Sequence, residues 1–378
     1  MKILHLIYTS GISGAENYLR HLLPGLQQFD IQAHLTIVCP KKNDQLLELA
    51  AELNLHGVPT NLIASSRPGF IWAARKIGKY CQKNGINIIH SHLVNTDAVA
   101  VLVKKIFNRG IMLISTKHGY DERVLQDYDP ATITKPDKTL YYQISKYLQR
   151  SIDKNIAVSK GISDLYFNLG LSDFHFPVLH HGVNISPFNP AEHKAECRRA
   201  EIQLVIVGRI VKFKGHHYLI KAMEQVVKEF PDCKLLILGE GSARKKLEAE
   251  IDILNLRKNI DFLGFQPHPY SYISNSDIVI LPSLFEPFGL VYIEAFALKV
   301  PVVAFDSAAG NEIMEHNVTA LMAEKCNSRE LAEKIIYLLH NKEERCRLAE
   351  AAYKVYKEKF TTQVMIKKTA DWYRNNLN

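Results

Sequence analysis

The sequence of 378 residues has no apolar run as long as the roughly 18 residues that a transmembrane helix needs. Residues 1–9 are apolar after a single lysine, and the run stops at Gly11, so it predicts a first strand and not a targeting segment. Six cysteines are scattered without a Cys-x-x-Cys pair, which argues against a disulfide framework and against a thiolate zinc site. We therefore expect reduced thiols and a cytoplasmic location.

Several motifs of other enzyme classes are also missing. No Gly-x-Gly-x-x-Gly follows the first strand of either half, which argues against a nicotinamide or flavin enzyme. No Ser-His-Asp or Cys-His hydrolase pattern emerges, and no metal-binding Asp-x-Asp occurs in a matching fold context. The adjacent histidine pairs at 180–181 and 216–217 are poor chelators of a single metal ion, because the side chains of neighbouring residues diverge. We predict no cofactor and no protein-bound catalytic metal.

The net charge of +8 is distributed unevenly. Residues 1–183 hold 20 Lys and Arg against 14 Asp and Glu, while the remainder holds 27 against 25. A basic first half suits an anionic membrane surface, a lipid diphosphate or a nucleic acid. An ordinary solvated surface is the alternative, because no block of Lys or Arg occurs. We expect contact with the inner face of a membrane as one partner, and no nucleic acid.

Apolar runs alternate with amphipathic stretches along the chain, which predicts strands alternating with helices in parallel, doubly wound sheets. In the first half the predicted strands are 3–7, 33–38, 61–64, 86–90, 111–116, 155–158 and 176–179. In the second half they are 203–207, 234–238, 260–263, 278–281, 300–304 and 319–322. Residues 185–200 interrupt the rhythm with two prolines and clustered charge, and we interpret them as an interdomain linker.

Two carboxylates stand near the end of the predicted strand 278–281. Glu286 lies in the loop that follows Pro282, and Glu294 lies in the second turn of a helix predicted to start near Phe288. Open α/β sheets bind ligands at the carboxyl ends of their strands. The free N–H groups of a helix start can hold an anionic group there. This segment is therefore a candidate binding site.

The string Glu-Pro-Phe-Gly-Leu, with Glu294 after seven intervening residues, resembles the carboxylate signature of the retaining, nucleotide-sugar-dependent glycosyltransferases of family four. The resemblance implies the GT-B fold, with two Rossmann-like domains facing a cleft. It also implies that Glu294 binds the ribose hydroxyls of the nucleotide and Glu286 the sugar hydroxyls. Backbone N–H groups of Phe288, Gly289 and Leu290 would support the sugar and phosphate.

Two further strings in the second half fit the same family. Arg209 stands at the carboxyl end of the predicted strand 203–207, and Lys214 lies five residues further on, just before a helix, in a Gly-Arg-x-x-x-x-Lys-Gly string that resembles the diphosphate clamp. Two cations and a helix N-terminus stabilise the negative charge that grows on a departing diphosphate, and without the resemblance an ordinary basic loop is the alternative. Gly239 and Gly241 resemble the glycine-rich turn beside the nucleotide, although a turn here would favour glycine in any case.

The first half holds the acceptor-side candidates. Gly11 and Gly14, between the first strand and the first helix, resemble a Gly-Gly-Ala-Glu element in which Ser13 replaces the first glycine. Serine fits that turn if its φ is negative. His118 lies just after the predicted strand 111–116 and matches a histidine that in relatives touches the hydroxymethyl end of the transferred sugar.

The resemblance also implies that a last helix, 361–378, crosses back onto the first domain. We accordingly predict an acceptor-side domain at 1–184 with that helix, a linker at 185–200 and a nucleotide-sugar-binding domain at 201–360. The expected activity is metal-independent transfer of a hexose-type sugar, with retention, from a nucleoside diphosphate sugar to a glycan or lipid-linked acceptor. A UDP-sugar is mildly preferred over GDP-mannose. A nucleotide-sugar epimerase, another GT-B enzyme such as a phosphorylase, and a non-catalytic sugar-nucleotide-binding protein are the alternatives.

Overall fold

The structure is a computed structural model that describes residues 1–65, 69–120, 139–185, 188, 202–307 and 310–377. Contacts between Cα atoms divide these residues into two compact units. The first unit holds the described residues up to Gly182 together with the chain from Thr362 onwards. The second unit runs from Val183 to Thr361. Each unit is built on one sheet of six strands.

The sheet of the first unit is entirely parallel, in the order β3-β2-β1-β4-β5-β6. This is the doubly wound order, in which the strand sequence reverses between β1 and β4. The strands are β1 (Lys2–Tyr8), β2 (Gln32–Cys39), β3 (Thr60–Ala64), β4 (Ile88–His92), β5 (Met112–Lys117) and β6 (Lys154–Ala157). The helices are α1 (Gly14–Leu26), α2 (Asp44–Leu55), α3 (Phe70–Asn84), α4 (Val94–Ile106), α5 (Leu140–Ser151), α6 (Lys160–Asn168) and α14 (Thr362–Asn376).

Two apolar layers cover the two faces of this sheet. One packs α1, α2 and α14 against β1 and β2, and the final helix contributes Met365, Ile366, Ala370 and Tyr373 to it. The other layer packs α3, α4 and α5. Gly25 lies on α1 where α14 crosses, and a Cβ atom there would come within 2.2 Å of the Ile366 side chain. The last helix is thus an integral part of the first unit.

The second unit repeats the same topology. Its parallel sheet has the order β12-β11-β10-β7-β8-β9, so its strand sequence reverses between β7 and β10. The strands are β7 (Gln203–Val207), β8 (Lys234–Leu238), β9 (Ile260–Gly264), β10 (Ile278–Leu281), β11 (Val302–Phe305) and β12 (Leu321–Ala323). The helices are α7 (His216–Glu229), α8 (Arg244–Ile253), α9 (Tyr270–Ser274), α10 (Leu290–Ala297), α11 (Gly310–Ile313), α12 (Ser328–His340) and α13 (Lys342–Val355).

The predicted fold class, two doubly wound α/β sheets in tandem, is confirmed. The predicted strand 176–179 is wrong. The segment makes an isolated bridge between Ala157 and Val178, because it runs past the short edge strand β6 without extending a ladder. The helix predicted to start near Phe288 begins at Leu290. Most of the predicted linker 185–200 lies outside the described residues.

Within the described residues, none of the helices combines the length and the apolarity needed to cross a bilayer. The described cysteines are free thiols: Cys39, Cys81, Cys233, Cys326 and Cys346.

Candidate functional site

An ion pair lies at the topological switch point of the second unit. The loop after β7 continues into a short 3-10 turn, Lys212–Lys214, and the loop after β10 carries Glu286. Lys214 Nζ lies 2.7 Å from each carboxylate oxygen of Glu286. Both side chains are mostly buried, with 17% and 11% of their surfaces exposed. Because open α/β sheets bind ligands where the strand order reverses, this pair marks the candidate site.

Arg209 belongs to the same site. It follows Gly208 directly after β7, and its guanidinium group lies 5.9 Å from the centre of the Phe213 ring. Burial lowers the pKa of Arg209, and the negative charge of Glu286 opposes this change. Since Arg209 also keeps a large part of its surface exposed, it can present its charge to a ligand as well as to Glu286. Arg209, Lys214 and Glu286 therefore form one electrostatic cluster.

Glu294 lies on α10, one turn beyond the helix start. Part of the residue is exposed, yet its carboxyl group is deep enough that burial raises its pKa to about 7. No described residue donates a hydrogen bond to this carboxyl group. The same carboxylate contributes to a raised pKa of Tyr270, after the larger effect of burial, so Tyr270 lies beside it. A half-ionised carboxyl group without a donor can accept hydrogen bonds from a ligand's hydroxyl groups.

The start of α10 leaves backbone donors available. The first N–H groups of a helix have no intrahelical acceptor. Gly289 caps this helix with φ of 99°, and its own carbonyl accepts from Tyr292 N. The predicted supporting segment Phe288, Gly289 and Leu290 therefore lies at the N-terminal end of the helix that carries Glu294.

The predicted glycine-rich turn has a packing role of its own. Gly239 has φ of 144°, and a Cβ atom there would lie 2.0 Å from the carbonyl oxygen of Gly208. At Gly241 the corresponding distance, to the carbonyl oxygen of Ile210, is 2.2 Å. Both glycines are thus required for the turn after β8 to pack against the turn that carries Arg209, whether or not a nucleotide lies beside them.

In the first unit, the turn that contains Gly11 and Gly14 ends in a helix cap. Ser13 has φ of −143°, and its backbone N–H donates to the Glu16 carboxylate at 2.8 Å. The Ser13 hydroxyl donates to the same carboxylate at 2.5 Å. Serine therefore replaces the expected glycine with a negative φ, and it caps α1.

His118 follows β5, and both of its ring nitrogens are engaged. Nε2 lies 3.0 Å from His92 Nδ1, and Nδ1 lies 3.1 Å from His181 Nε2. Burial, with a further contribution from Lys117, lowers the pKa of His118 to about 3, so the ring is neutral at pH 7. A sugar hydroxyl that hydrogen-bonds to His118 must therefore replace one of these two histidines.

A buried ion pair anchors the strand end beside His118. Lys117 Nζ lies 2.6 Å from Asp97 Oδ2, and both side chains are almost fully buried. Ser91 and Ser115 donate to the other carboxylate oxygen. Removing one member of such a pair would leave an uncompensated buried charge, which is strongly destabilising.

Sequence reasoning missed part of this arrangement. The structure brings Lys214, Glu286 and Arg209 together, and it places Glu294 at the start of the next helix. It also links His118 to His181, a residue that sequence reasoning left without a role. The signal for the histidines was the alternation His90-Ser91-His92, because residues two apart on a strand share a face.

The chain matches the profiles of two protein families. The profile described as "Glycosyl transferases group 1" matches residues 191–355, and the profile "Glycosyltransferase Family 4" matches residues 12–187. An α-D-kanosaminyltransferase of Streptomyces kanamyceticus is 32% identical over 191 residues, which cover 47% of this chain and half of that enzyme.

A relative from Campylobacter jejuni matches over nearly the full length. It is the N-acetylgalactosamine-N,N'-diacetylbacillosaminyl-diphospho-undecaprenol 4-alpha-N-acetylgalactosaminyltransferase, and it is 26% identical over 94% of this chain and 93% of its own.

Solved structures share the fold of the whole chain. Anabaena HepE in complex with UDP has a TM-score of 0.78 at 20% identity, covering 99% of this chain and all of that one. Sucrose-phosphate synthase from Thermosynechococcus elongatus has a TM-score of 0.79 at 21% identity, covering 99% and 98%. With the two profiles matching successive halves of a chain that folds into two Rossmann-like sheets, the protein belongs to the group 1 glycosyltransferases of the GT-B fold.

Proposed function

We propose that this glycosyltransferase moves a hexose-type sugar from a nucleoside diphosphate sugar to a hydroxyl group of a glycan or lipid-linked acceptor, with retention at the anomeric carbon. The observation that carries the proposal is the Lys214–Glu286 pair beside Arg209 at the switch point of the second sheet. It combines two cations, which suit a diphosphate, with a carboxylate, which suits sugar hydroxyls.

The pair suggests an exchange of partners on donor binding. Without a donor, Glu286 neutralises Lys214 in a mostly buried position. A diphosphate brings its own negative charges to Lys214 and Arg209, so Glu286 becomes free to accept hydrogen bonds from the sugar. As the bond from C1 to the phosphate oxygen breaks and the bond to the acceptor oxygen forms on the same face, the departing phosphate takes the acceptor proton. The two cations stabilise the charge that grows on the phosphate, so the step needs no metal ion.

Glu294 completes the proposed donor site. Its carboxyl group, whose pKa is near 7 and which has no donor among the described residues, would accept from the two ribose hydroxyls. The free N–H groups at the start of α10 would face the sugar and phosphate. A uridine nucleotide is the preferred donor, since the structural relative HepE is described in complexes with UDP and with UDP-glucose.

The nature of the acceptor is inferred from relatives. The Campylobacter enzyme is named for a diphospho-undecaprenol acceptor, and a Staphylococcus aureus relative for poly(ribitol-phosphate). Both acceptors carry phosphate groups, and the first is a membrane lipid.

One face of the first unit supports a membrane contact at the cytoplasmic side. Helices α3, α4 and α5 pack side by side on one face of the sheet. Together they carry eight Lys or Arg residues and one acidic residue, Asp97, which is buried. Helices α1, α2 and α14, on the other face, carry four basic and five acidic residues. The structure thus places basic residues that are dispersed in the sequence on one surface.

Large apolar side chains are exposed among these charges. Lys76 lies over the ring of Trp72 at 3.7 Å, and Lys105 over the ring of Tyr147 at 4.7 Å. Exposed lysines beside aromatic and aliphatic side chains are typical of surfaces that bind anionic lipid headgroups. The exposed apolar residues on this face are Ile71, Trp72, Ile106, Leu140, Ile144 and Tyr147.

Four measurements test the function. Thermal-shift screening against UDP-, GDP- and ADP-sugars identifies the donor, and a transfer assay with that donor, in the presence and absence of EDTA, tests the reaction. Proton NMR of the product gives the anomeric configuration. Conversion of the donor to an isomeric sugar without any acceptor would instead indicate an epimerase. No measurable donor binding by calorimetry would refute the proposed donor site.

Sedimentation with vesicles tests the membrane face. We expect binding to phosphatidylcholine vesicles that contain phosphatidylglycerol, and little binding to phosphatidylcholine alone. Lys76→Glu with Lys79→Glu should abolish this binding. The matched control, Lys367→Glu with Lys368→Glu, makes the same charge change on α14 and should retain it. Equal losses in the two double variants would show a net-charge effect and no specific face.

A further inference from the structure

Two side chains of the second unit hold buried polar atoms that have no hydrogen-bond partner within the described residues. They are Tyr292, through its hydroxyl oxygen, and His216, through both ring nitrogens. Tyr292 lies in the first turn of α10 with 1% of its surface exposed, and His216 is the first residue of α7 with 3% exposed. Buried polar groups are normally hydrogen-bonded, so each exception needs a physical explanation.

Both residues lie beside the Lys214–Glu286 pair. Burial, with a further contribution from the charge of Lys214, lowers the pKa of His216 to about 3. Burial also raises the pKa of Tyr292, and the negative charge of Glu286 adds to this increase. Among the described residues of the second unit, the unpartnered buried side-chain atoms are therefore concentrated around the candidate donor site.

Gly289 brings the Tyr292 ring and the Glu286 side chain together. A Cβ atom at Gly289 would lie 2.3 Å from Tyr292 Cδ2 and 3.1 Å from Glu286 Cγ, so the two side chains border the same small space. Side chains near the start of a helix point back toward its N-terminus. The Tyr292 ring accordingly extends from the first turn of α10 back past Gly289, toward the loop that carries Glu286.

The hydroxyl group of Tyr292 is not used while Lys214 holds Glu286. Lys214 Nζ lies 2.7 Å from both carboxylate oxygens of Glu286. The Ser307 hydroxyl is close enough to influence the pKa of Tyr292, but the two groups make no hydrogen bond, and Ser307 accepts from Gly310 N at 3.2 Å. A carboxylate can accept about four hydrogen bonds, so Glu286 has room for a further donor.

We propose that Tyr292 is a positioning residue whose hydroxyl group donates to Glu286 when a diphosphate draws Lys214 away. The Glu286 side chain is only 11% exposed, and a buried carboxylate that loses its cation is strongly destabilised. A hydrogen bond from the phenol to the charged carboxylate offsets part of this loss. Because the hydroxyl has no partner in the free protein, no other bond has to break first.

The consequence for the reaction rests on the proposed function. With Lys214 and Arg209 on the diphosphate, the bond from Tyr292 would keep Glu286 ionised and fixed in place while its remaining lone pairs accept from the sugar hydroxyls. All these residues belong to the second unit, which also contains the start of α10. The contact between Tyr292 and Glu286 can therefore be tested without a sugar nucleotide.

A purely structural hydroxyl is the competing explanation. Buried water commonly satisfies such groups, and a small shift of Ser307 would have the same effect. In either case the hydroxyl would contribute to stability whether or not Lys214 is present. The positioning role predicts instead that its contribution appears only after the cation has been removed from Glu286.

A double-mutant cycle in urea, followed by circular dichroism, separates these explanations. Tyr292→Phe removes only the hydroxyl and should leave the unfolding midpoint of the wild-type protein unchanged or slightly raised. In the Lys214→Met background the same change should increase the unfolding equilibrium constant about tenfold or more, because a hydrogen bond to a charged group is lost. Tyr337→Phe is the matched control, since it removes the same atom from an exposed tyrosine of α12, and it should have the same small effect in both backgrounds. Equal effects of Tyr292→Phe in the two backgrounds would overturn the proposal.

Calorimetry with UDP-glucose at pH 8 tests the donor-bound state. Tyr292→Phe should bind about tenfold or more weakly than the wild-type protein. In the Glu286→Gln background the same change should have a clearly smaller effect, since a bond to a neutral amide is about half as strong. A Tyr292→Phe protein with wild-type affinity would overturn the positioning role.

The two cycles distinguish this proposal from the proposed function. If the wild-type protein binds no sugar nucleotide while the urea cycle shows the expected coupling, the proposed function fails, and the contact between Tyr292 and Glu286 stands. If sugar transfer is observed and neither cycle shows coupling, the positioning role of Tyr292 fails alone.

Discussion

Donor affinity should depend on the ionisation of Glu294. Its carboxyl group has a pKa of about 7 in the free protein, so roughly half of the molecules are protonated at pH 7. If the ribose hydroxyls donate to this group, only the ionised form binds well. The apparent dissociation constant then rises as pH falls through 7, and it should be about tenfold larger at pH 6 than at pH 8. The expected direction is therefore tighter binding at higher pH.

Isothermal titration calorimetry with UDP-glucose measures this dependence. The sugar ester is the suitable probe, because the terminal phosphate of UDP itself titrates near pH 6. Measurements at pH 7 in two buffers with different ionisation enthalpies should show the release of about half a proton on binding. Glu294→Gln should bind about tenfold or more weakly at pH 8, since a hydrogen bond to a charged group is lost, and its affinity should not change between pH 6 and 8.

Two results would refute this reasoning. One is an affinity of the wild-type protein that stays constant from pH 6 to pH 8. The other is the same pH dependence in Glu294→Gln, which would assign the titration to a different group. Either result would show that Glu294 does not accept hydrogen bonds from the ribose hydroxyls.

The remaining predictions concern stability. Folding raises the pKa of Glu294 from 4.5 to about 7, so the contribution of this group to the free energy of unfolding is lost as pH rises through 7. Because glutamine does not titrate, the free energy of unfolding of Glu294→Gln, measured with urea, should increase relative to that of the wild type by about 2 to 3 kcal/mol between pH 5 and pH 8. Lys214→Met should cost about 2 kcal/mol by removing the cation that is hydrogen-bonded to the mostly buried Glu286, and the double variant with Glu286→Gln should recover most of this loss in a double-mutant cycle followed by circular dichroism. Gly239→Ala should lower the thermal midpoint far more than Gly85→Ala, because a Cβ atom at Gly85 meets nothing within 4 Å although φ is positive at both.

Circular dichroism is the appropriate probe for these variants of the second unit. Both tryptophans, Trp72 and Trp372, belong to the first unit, so tryptophan fluorescence would report on the unfolding of the first unit and not of the second. Differences between the two signals in one unfolding curve would also show whether the two units unfold separately.

The strands were predictable because a parallel strand covered on both faces leaves a short continuous apolar run, as at 203–207 and 278–281. The wrong prediction of a strand at 176–179 comes from the same apolar pattern. That segment is apolar and of strand length, but whether it forms a ladder depends on the length of the neighbouring edge strand, which the local sequence does not specify. Helix starts were displaced by one or two residues for a related reason, since φ at Gly289 and not the apolar pattern decides where α10 begins.

The candidate site was predictable to different degrees. Arg209, Lys214 and Glu286 could be assigned to one region because the carboxyl ends of β7 and β10 must meet at the switch point. That Lys214 and Glu286 would bond to each other, and that Glu294 would be left without a donor, depends on side-chain geometry that no motif encodes. The same holds for the buried histidines of the first sheet, because the 3.1 Å contact between His5 Nδ1 and His92 Nε2 depends on the register between β1 and β4.

The distribution of charge shows most clearly what the fold adds to the sequence. Along the chain the excess of positive charge in the first half is small and interrupted, and it does not distinguish a membrane-binding surface from an ordinary solvated one. The pattern of buried apolar residues decides on which side of each helix the charged residues lie. In α3 the buried positions Ala73, Ala74, Ile77 and Gly78 fix which side of the helix faces the sheet, so Lys76 and Lys79 must point outwards. Since α4 and α5 pack on the same side with their own lysines outwards, three separate amphipathic patterns add their charges on one surface. A weak excess in the sequence can therefore become a strongly basic face, provided that neighbouring helices bury their apolar stripes against the same side of one sheet.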